Sequence, residues 1–274
     1  MLLRLRIFTR RRSQALSFAL ILLFIMFFST LTPQIAHAAT FTVTTAADHN
    51  DGSCDADCSL REAINAANSA GGANTISFSG LFSSAQTITL TSNLPGLSSN
   101  ITITGPGANL LTIDGANAHQ VFFTGGGTTV SISGMTITHG STNFAGAAIF
   151  SDSDVNVDGV AFTSNTATAN GGAAIWVNNG TTTVTNSTFS GNTATSGTGG
   201  AINVPSGGTL FMINSTMTGN SAIDGGAIAA SGPITLINST ISGNSATSTG
   251  GITNGSTSTF TNTIIANNAG GDCS

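Results

Sequence analysis

Apolar residues recur at three fixed positions along the second half of the chain, at intervals of 24 to 28 residues. The first series consists of Ile137, Phe162, Phe189, Met217, Ile241 and Ile265. The second lies five residues before the first and consists of Ile132, Val157, Val184, Met212, Leu236 and Phe260. The third follows glycine-rich segments and consists of Ile149, Ile175, Ile202, Ile228 and Ile252. Three apolar positions per repeat predict a coil with three short strands and three corners.

Residues within each predicted strand alternate between apolar and polar, as they do from Thr129 to Ser133, so one side faces inward. A single coil cannot bury its inner side chains, but coils stacked about 4.8 Å apart bury them against each other. The pattern therefore predicts an all-β parallel solenoid with three short strands per coil. A βαβ fold would need helices where Gly, Thr and Ser crowd the sequence, and an antiparallel sandwich would not repeat one motif at this spacing.

Asparagine and glycine mark the predicted corners. An asparagine follows most members of the first series by three residues, at Asn165, Asn192, Asn220, Asn244 and Asn268. Asparagine tolerates the left-handed conformation and is able to hydrogen-bond the next asparagine along the stack. Paired glycines at 171–172, 199–200, 225–226 and 250–251 predict corners that need positive φ or close packing. The recurring Asn-Ser-Thr sequences at Asn186, Asn214 and Asn238 match the glycosylation sequon, but corner geometry explains their spacing better.

The start of the chain predicts a different organisation. Five arginines, an apolar run over residues 15–28 and the small-residue sequence at 36–38 predict a secretory signal peptide over 1–39. The alternative of an uncleaved anchor is disfavoured because a span needs about 20 apolar residues. Residues 40–75 predict an N-terminal cap, with a leading strand at 41–45 and a short amphipathic helix that begins at a Ser59 and Glu62 capping box. Residues 76–274 hold the repeats.

Removal of the predicted signal peptide leaves a strongly acidic chain. Five of the six basic residues lie in that peptide, so one Arg remains against eleven acidic residues, and 1 − 11 gives a net charge of −10. Such a chain cannot neutralise phosphates, so we expect no nucleic-acid partner and no binding to anionic membranes. We also expect no integral membrane span after cleavage.

Two families share motifs with the sequence. Phe162 to Asn165 (FTSN) and Gly199 to Ile202 (GGAI) resemble the FxxN and GGAI repeats of chlamydial-type polymorphic outer-membrane proteins, over roughly residues 130–268. Cys58 to Ile64 (CSLREAI) resembles the CSLREA domain of exported bacterial β-helix proteins. Members of that family, like choice-of-anchor proteins, carry different kinds of C-terminal surface anchor. These resemblances imply a right-handed parallel β-helix, export and a surface adhesin. The sequence ends at Ser274 without an autotransporter barrel, so we expect it to be truncated, with an uncapped C-terminal edge able to self-associate.

Catalytic chemistry finds little support in the sequence. Uronate elimination would need a basic residue, and Arg61 in the cap helix is the sole candidate in the predicted mature chain. Glycoside hydrolysis needs two carboxylates about 5–10 Å apart. The repeats offer Asp114, Asp152, Asp154, Asp158 and Asp224, with no evident pair across coils. We therefore predict that the protein has no catalytic residues and is not an enzyme. The alternative is that it is a polysaccharide lyase or hydrolase.

The cap contains a dense acidic loop with two cysteines. Its carboxylates, Asp48, Asp51, Asp55 and Asp57, are candidate calcium ligands, although a solvated acidic loop is the favoured interpretation. Calcium is the one cofactor that the sequence suggests. Cys54 and Cys58 are close enough in sequence to form a disulfide in an oxidising compartment, and Cys273 would then have no cysteine partner in this sequence.

These patterns favour a non-catalytic exported protein, extracellular or on the cell surface or outer membrane. We expect it to be adhesin-like or envelope-associated and to bind an unidentified surface ligand or glycan. Outward Thr-x-Thr pairs such as Thr102/Thr104 and Thr136/Thr138 suggest another alternative, the binding of ice or a glycan lattice. That alternative requires the pairs to stack in register on a flat face. Trp176 is also predicted to point outward, where an indole is able to stack on a sugar ring.

Overall fold

The computed structural model describes residues 38–274, which wind into a parallel β-helix with four sheets along its sides. Sheet A contains Thr40–Val43, Ala73–Phe78, Asn100–Thr104, Thr129–Ser133, Asp154–Asp158, Gly180–Thr185, Gly208–Ile213, Ile234–Ile237 and Ser258–Thr261. Sheet B contains Gln86–Thr89, Leu111–Asp114, Thr136–Thr138, Ala161–Thr163, Thr188–Ser190, Thr216–Thr218, Thr240–Ser242 and Ile264–Ala266. Sheet C contains Phe122–Thr124, Ile149–Ser151, Ile175–Val177, Ile202–Val204, Ile228–Ala230 and Ile252–Asn254.

A fourth sheet distinguishes the structure from the predicted three-stranded coil. Sheet D contains the two-residue strands Ser141–Thr142, Thr166–Ala167, Thr193–Ala194, Ser221–Ala222 and Ser245–Ala246. Each complete coil runs from sheet C through A and B to D. Two-residue strands leave no alternation to detect, and their inward residue is alanine or threonine rather than a large apolar residue. The prediction of three strands was therefore incomplete at this side.

The three apolar series form the core. Members of the first series pair in register from Ile137 through Phe162 and Phe189, and on to Ile265. The rings of Phe162 and Phe189 stack with their centroids 4.7 Å apart. The described members of all three series are buried, except in the last coil, where Ile265 is partly buried and Phe260 is 41% exposed. The solenoid fold predicted from the periodicity is confirmed.

An internal asparagine ladder closes the corner between sheets B and D. Asn165 donates from its side-chain nitrogen to the carbonyl of Ile137 at 3.1 Å and to Oδ1 of Asn192 at 2.9 Å. That Oδ1 also accepts the backbone N–H of Asn165 at 3.1 Å. The same three bonds repeat in later coils through Asn220, Asn244 and Asn268. Stacked amides thus satisfy backbone groups that an apolar corner would leave unpaired.

Positive φ occurs at paired glycines such as Gly199 and Gly225, as predicted, but at the asparagine ladder it falls one residue before the asparagine. The residue before each ladder asparagine has positive φ, as in Ser164 at 53° and Gly191 at 65°. At the corner between sheets A and B, positive φ occurs at the asparagines themselves, Asn186, Asn214, Asn238 and Asn262. These four are exposed and hydrogen-bond to one another along the stack. Corner geometry therefore accounts for the recurring Asn-Ser-Thr sequences.

The N-terminal cap shares the core of the coils. The helix Leu60–Ala70 begins at a complete capping box, in which Ser59 Oγ accepts the N–H of Glu62 and the N–H of Ser59 donates to Glu62. Its apolar face is fully buried at Leu60, Ala63, Ile64 and Ala67. A 3₁₀ helix at Gly80–Ser83 follows the second strand of sheet A. The helix thereby covers the first coil of the described residues.

Two regions leave predictions open. The predicted signal peptide, 1–39, lies almost entirely outside the described residues, and within those residues no helix is long and apolar enough to cross a membrane. At the other end, Phe260 and Ile264 are 41% and 60% exposed on the last coil. Self-association through this C-terminal edge stays a prediction.

We predict that Asn192→Ala destabilises the β-helix by about 2–4 kcal/mol, because it leaves buried polar groups of two coils unpaired. The midpoint of chemical denaturation measures this effect. Asn156→Ala is the matched control, because Asn156 is exposed on an outer face, and we expect it to change stability by less than about 0.5 kcal/mol. Equal midpoints for the two variants would contradict a stabilising role of the internal ladder.

Candidate functional site

Arg61, the candidate base for a lyase, is held in a structural contact. Its guanidinium donates from Nε to Asp48 Oδ1 at 2.9 Å and from Nη2 to Asp48 Oδ2 at 2.7 Å. It also donates to the carbonyls of Ser92 and Asn93. The Asp48 side chain is fully buried and that of Arg61 is 10% exposed. This ion pair ties the cap helix to the segment that follows the first strand of sheet B.

The same contact separates Asp48 from the other calcium candidates. Both of its carboxylate oxygens are engaged, because Oδ2 also accepts from the backbone N–H and the hydroxyl of Thr91. Burial alone would raise the pKa of Asp48, but the hydrogen bonds from Arg61 and Thr91 outweigh burial and lower it. Asp48 is therefore a partner of Arg61, and its assignment as a calcium candidate is corrected.

The remaining three candidates lie together on the exposed loop. Ligand oxygens of Asp51, Asp55 and Asp57 are within 4.8 Å of one another. Hydrogen bonding between the side chains of Asp55 and Asp57 lowers the pKa of Asp55 and raises that of Asp57. The loop is closed by a disulfide between Cys54 and Cys58, while Cys273 is free. Calcium binding at this loop stays a prediction.

Carboxylates of the coils accept hydrogen bonds from residues of the neighbouring coil. Asp158 accepts from Thr185 and Asn186, both at 2.7 Å, and these bonds lower its pKa. Asp224 accepts from the Thr253 hydroxyl at 2.6 Å and from two backbone N–H groups. Burial would raise the pKa of Asp224, but these hydrogen bonds outweigh it and lower the pKa. A general acid for glycoside hydrolysis needs a raised pKa instead.

Asp114 and Asp154 have similar structural contacts. Asp114 lies 3.2 Å from Nδ1 of His139 in the next coil and accepts the backbone N–H of Ala116 at 2.8 Å. Asp154 accepts the backbone N–H of Thr181 at 2.8 Å. Both contacts join carboxylates to groups of the fold rather than to a second carboxylate.

Four aromatic rings form a cluster on the outside of sheet C, which we call the aromatic cluster: Phe123, Phe144, Phe150 and Trp176. Phe123, Phe150 and Trp176 occupy one outward column in three successive coils. The rings of Phe123 and Phe150 stack with centroids 5.3 Å apart. Phe144 reaches over them from a loop, 6.1 Å from the ring of Phe150 and 6.4 Å from that of Trp176. Phe123 is 41% exposed and Phe144 is 51% exposed.

A polar network adjoins the aromatic cluster at the corner between sheets C and A. Trp176 Nε1 donates to Asn178 Oδ1 at 3.3 Å. Asp152 Oδ1 accepts from the side-chain amides of Asn178 at 2.9 Å and Asn179 at 2.5 Å. These bonds from Asn179 and Asn178 lower the pKa of Asp152. The four residues link two coils and present a carboxylate and two amides beside the rings.

The outer face of sheet B carries mainly hydroxyl groups. Its two outward columns run in register along eight strands. The first column contains Thr87, Thr112, Thr136, Ala161, Thr188, Thr216, Thr240 and Ile264. The second contains Thr89, Asp114, Thr138, Thr163, Ser190, Thr218, Ser242 and Ala266. Of the Thr-x-Thr pairs named in the sequence, Thr136/Thr138 lies in these two columns, whereas Thr102/Thr104 lies in the strand Asn100–Thr104 of sheet A.

Comparison with known families identifies the fold. Residues 119–273, just over half of the chain, match the family described as the right-handed β-helix region. The chain belongs to this family. None of the curated proteins matches the sequence. The right-handed β-helix family includes both enzymes and non-enzymes, so the function of this member has to be argued from its side chains.

The aromatic cluster was the feature that the sequence patterns underestimated. Of the four rings, only that of Trp176 is predicted from the sequence to point outward. In the β-helix, each outward ring follows the inward residue of its strand, as Phe150 follows Ile149 and Trp176 follows Ile175. That offset was visible in the sequence and predicts the column. The approach of Phe144 was not predictable, because it depends on the path of a loop.

We predict that Asp48→Asn lowers the free energy of unfolding by about 3 kcal/mol at neutral pH, because Arg61 would lose its buried partner. The lowered pKa of Asp48 means that the folded protein holds this proton less tightly than the unfolded chain. Its stabilisation is therefore present above about pH 4 and is lost as the pH falls below that value.

Denaturant unfolding at pH 7 and at pH 3 measures both effects. The difference between wild type and Asp48→Asn should shrink in acid. Asp154→Asn is the control, because it removes an exposed carboxylate that has no arginine partner. An Asp48→Asn protein as stable as the control at pH 7 would refute the structural role of the pair.

Proposed function

We propose that this right-handed β-helix protein is a non-catalytic, exported, adhesin-like protein of the cell surface or surroundings, and that it binds through the outside of its coils. The observation that carries this proposal is the commitment of its charged groups to the fold. Arg61 is paired with Asp48, and the coil carboxylates accept hydrogen bonds from neighbouring coils. The outer faces then offer hydroxyl, amide and aromatic groups, which are suited to binding.

The alternative enzyme finds less support in these contacts. The base of a lyase has to remove a proton from the substrate. The Arg61 guanidinium instead donates four hydrogen bonds to Asp48, Ser92 and Asn93. A hydrolase needs one carboxyl group with a raised pKa, whereas the pKa values of Asp152, Asp158 and Asp224 are lowered. Both observations favour a binding role.

Export is supported by two independent features. The sequence over 1–39 has the basic, apolar and small-residue segments of a secretory signal. The Cys54–Cys58 disulfide closes the acidic loop, and disulfides persist in oxidising compartments. The resemblance of the FxxN and GGAI sequence motifs to repeats of surface adhesins agrees with such a location.

Cell fractionation of a strain that expresses the full chain tests the proposed location and role. We expect the protein in the surface or extracellular fraction, shortened by cleavage near residue 39. We also expect it to release neither reducing sugars nor unsaturated uronates from a panel of plant and bacterial polysaccharides. A cytoplasmic, uncleaved protein would refute export. Turnover that disappears in Asp152→Asn or Asp224→Asn would establish the enzyme instead.

Binding of a solid lattice is a second candidate function, favoured by the hydroxyl columns of sheet B. Neighbouring strands repeat about every 4.8 Å and alternate residues about every 6.7 Å, so the hydroxyl groups form a regular grid. Such a grid is suited to ordered water at an ice surface or to the hydroxyl groups of a crystalline glycan. The interruptions at Asp114, Ala161, Ile264 and Ala266 limit the length of the uniform region.

Adsorption measurements test the lattice function. We expect thermal hysteresis in ice, or sedimentation with crystalline cellulose or chitin, and a severalfold loss of either in Thr216→Lys, between Thr188 and Thr240 in the first column of sheet B. Thr195→Lys is the control, because Thr195 is exposed outside the grid. The lattice function fails if neither solid is bound or if the two variants are impaired equally.

A further inference from the structure

We propose that the aromatic cluster, together with Asp152, Asn178 and Asn179, is a binding site for a short stretch of neutral glycan. This inference deepens the proposed binding function and rests on it. The site spans three successive coils on the outside of sheet C. Its apolar half consists of stacked rings and its polar half consists of one carboxylate and two amides.

The apolar half has the chemistry to bind the C–H groups of sugar rings. Aromatic rings carry a negative face and a positive edge, so they attract C–H groups at the face and oxygen atoms at the edge. The rings of Phe123 and Phe150 lie 5.3 Å apart at an interplanar angle of 21°, so each covers part of one face of the other. Phe144 and Phe123, which are 51% and 41% exposed, provide the most exposed ring surfaces, and Trp176 is partly exposed at the end of the row, where Asn203 follows it in the column.

The polar half has hydrogen-bonding capacity left for a ligand. Of the two carboxylate oxygens of Asp152, Oδ1 accepts hydrogen bonds from the described residues and Oδ2 does not. Oδ2 is therefore open to a donor such as a sugar hydroxyl. The amides of Asn178 and Asn179 are each oriented by a bond to that carboxylate. A preorganised acceptor with flanking amides matches a ligand that carries both hydroxyl donors and acceptors.

Charge favours an uncharged ligand. Within residues 38–274, Arg61 is the only lysine or arginine, and it is paired in the cap. A uronate or a sulfated sugar would therefore meet the Asp152 carboxylate with no cation to offset the repulsion. The surroundings also argue against a largely apolar partner, because the outer columns of the neighbouring sheets carry mainly hydroxyl and amide groups. A neutral polyhydroxylated chain fits both halves of the site.

The full chain carries its own reporter for this site. Trp176 is the only tryptophan and the sequence contains no tyrosine, so tryptophan fluorescence reports on the aromatic cluster alone. The probes are hexasaccharides of the cellulose, chitin, β-1,3-glucan and mannan series, with heparin and oligogalacturonate as anionic comparisons. We expect a saturable change in the emission of Trp176 with at least one neutral hexasaccharide and none with the anionic sugars.

Three variants separate the site from general effects. Phe144→Ala should weaken binding about two- to tenfold, since one aromatic contact is lost. Asp152→Asn keeps one acceptor for the two amides but removes the negative charge and the second carboxylate oxygen. It should therefore weaken binding of the neutral hexasaccharide and reduce the discrimination against oligogalacturonate. Phe211→Ala is the matched control, because Phe211 is similarly exposed, at 39%, on the outer face of sheet A. It should bind as wild type does.

Several outcomes would overturn the proposal. Absence of any saturable response to the neutral hexasaccharides would do so, as would equal weakening by Phe144→Ala and Phe211→Ala. A concentration-dependent dimer that Phe144→Ala converts to a monomer would show instead that a second copy covers the cluster. These results are distinguishable from failure of the proposed function. A protein that is found at the cell surface, shows no turnover and does not bind these sugars would still be exported and non-catalytic.

Discussion

The parallel register between coils is the constraint on which the rest of the structure depends. Each coil buries its inner side chains only against the coils before and after it, so similar residues have to recur at similar places. The apolar series and the internal asparagine ladder are two solutions to this requirement, one for side chains and one for backbone groups. The Phe162 and Phe189 rings stack at 4.7 Å, close to the strand spacing of about 4.8 Å. At the N-terminal end of the described residues, Leu60 and Ile64 of the cap helix cover the inner side chains of the first coil in the same way.

Periodicity allowed most of the fold to be predicted, because it acts on every coil. The core positions, the capping box at Ser59 and the end-covering helix all followed from local patterns. The fourth sheet did not, because strands of two residues carry no alternation. The position of the left-handed residue was also missed, since internal hydrogen bonds keep the ladder asparagines in ordinary conformations and shift positive φ to residues such as Ser164. Asp48 was misassigned because its partner Arg61 lies 13 residues away and only the fold brings them together.

Register also determines what the outside of the molecule displays. Because inner residues are aligned, the outward residues between them are aligned as well, and the protein surface consists of columns rather than scattered groups. Carboxylates in such columns would repel one another if they were stacked. In this chain they instead alternate with amides and hydroxyls that donate to them, as Asn186 does to Asp158 and Thr253 does to Asp224. The pKa values of Asp152, Asp158 and Asp224 are lowered in consequence, because the donors of neighbouring residues stabilise their charged forms.

A rigid column of rings has a specific consequence for the strength of binding. The outward rings of Phe123, Phe150 and Trp176 span two coil intervals, or about 10 Å, so the aromatic cluster contacts only a short part of a long polymer. Because the rings are fixed by stacking and by the bond from Trp176 to Asn178, little conformational entropy is lost when a ligand binds. The contact area nevertheless stays small, so one site alone gives modest affinity. The proposed adhesin-like role would therefore require many copies on one surface that bind the same polymer, and effective concentration rather than the single contact would determine how firmly the surfaces are held together.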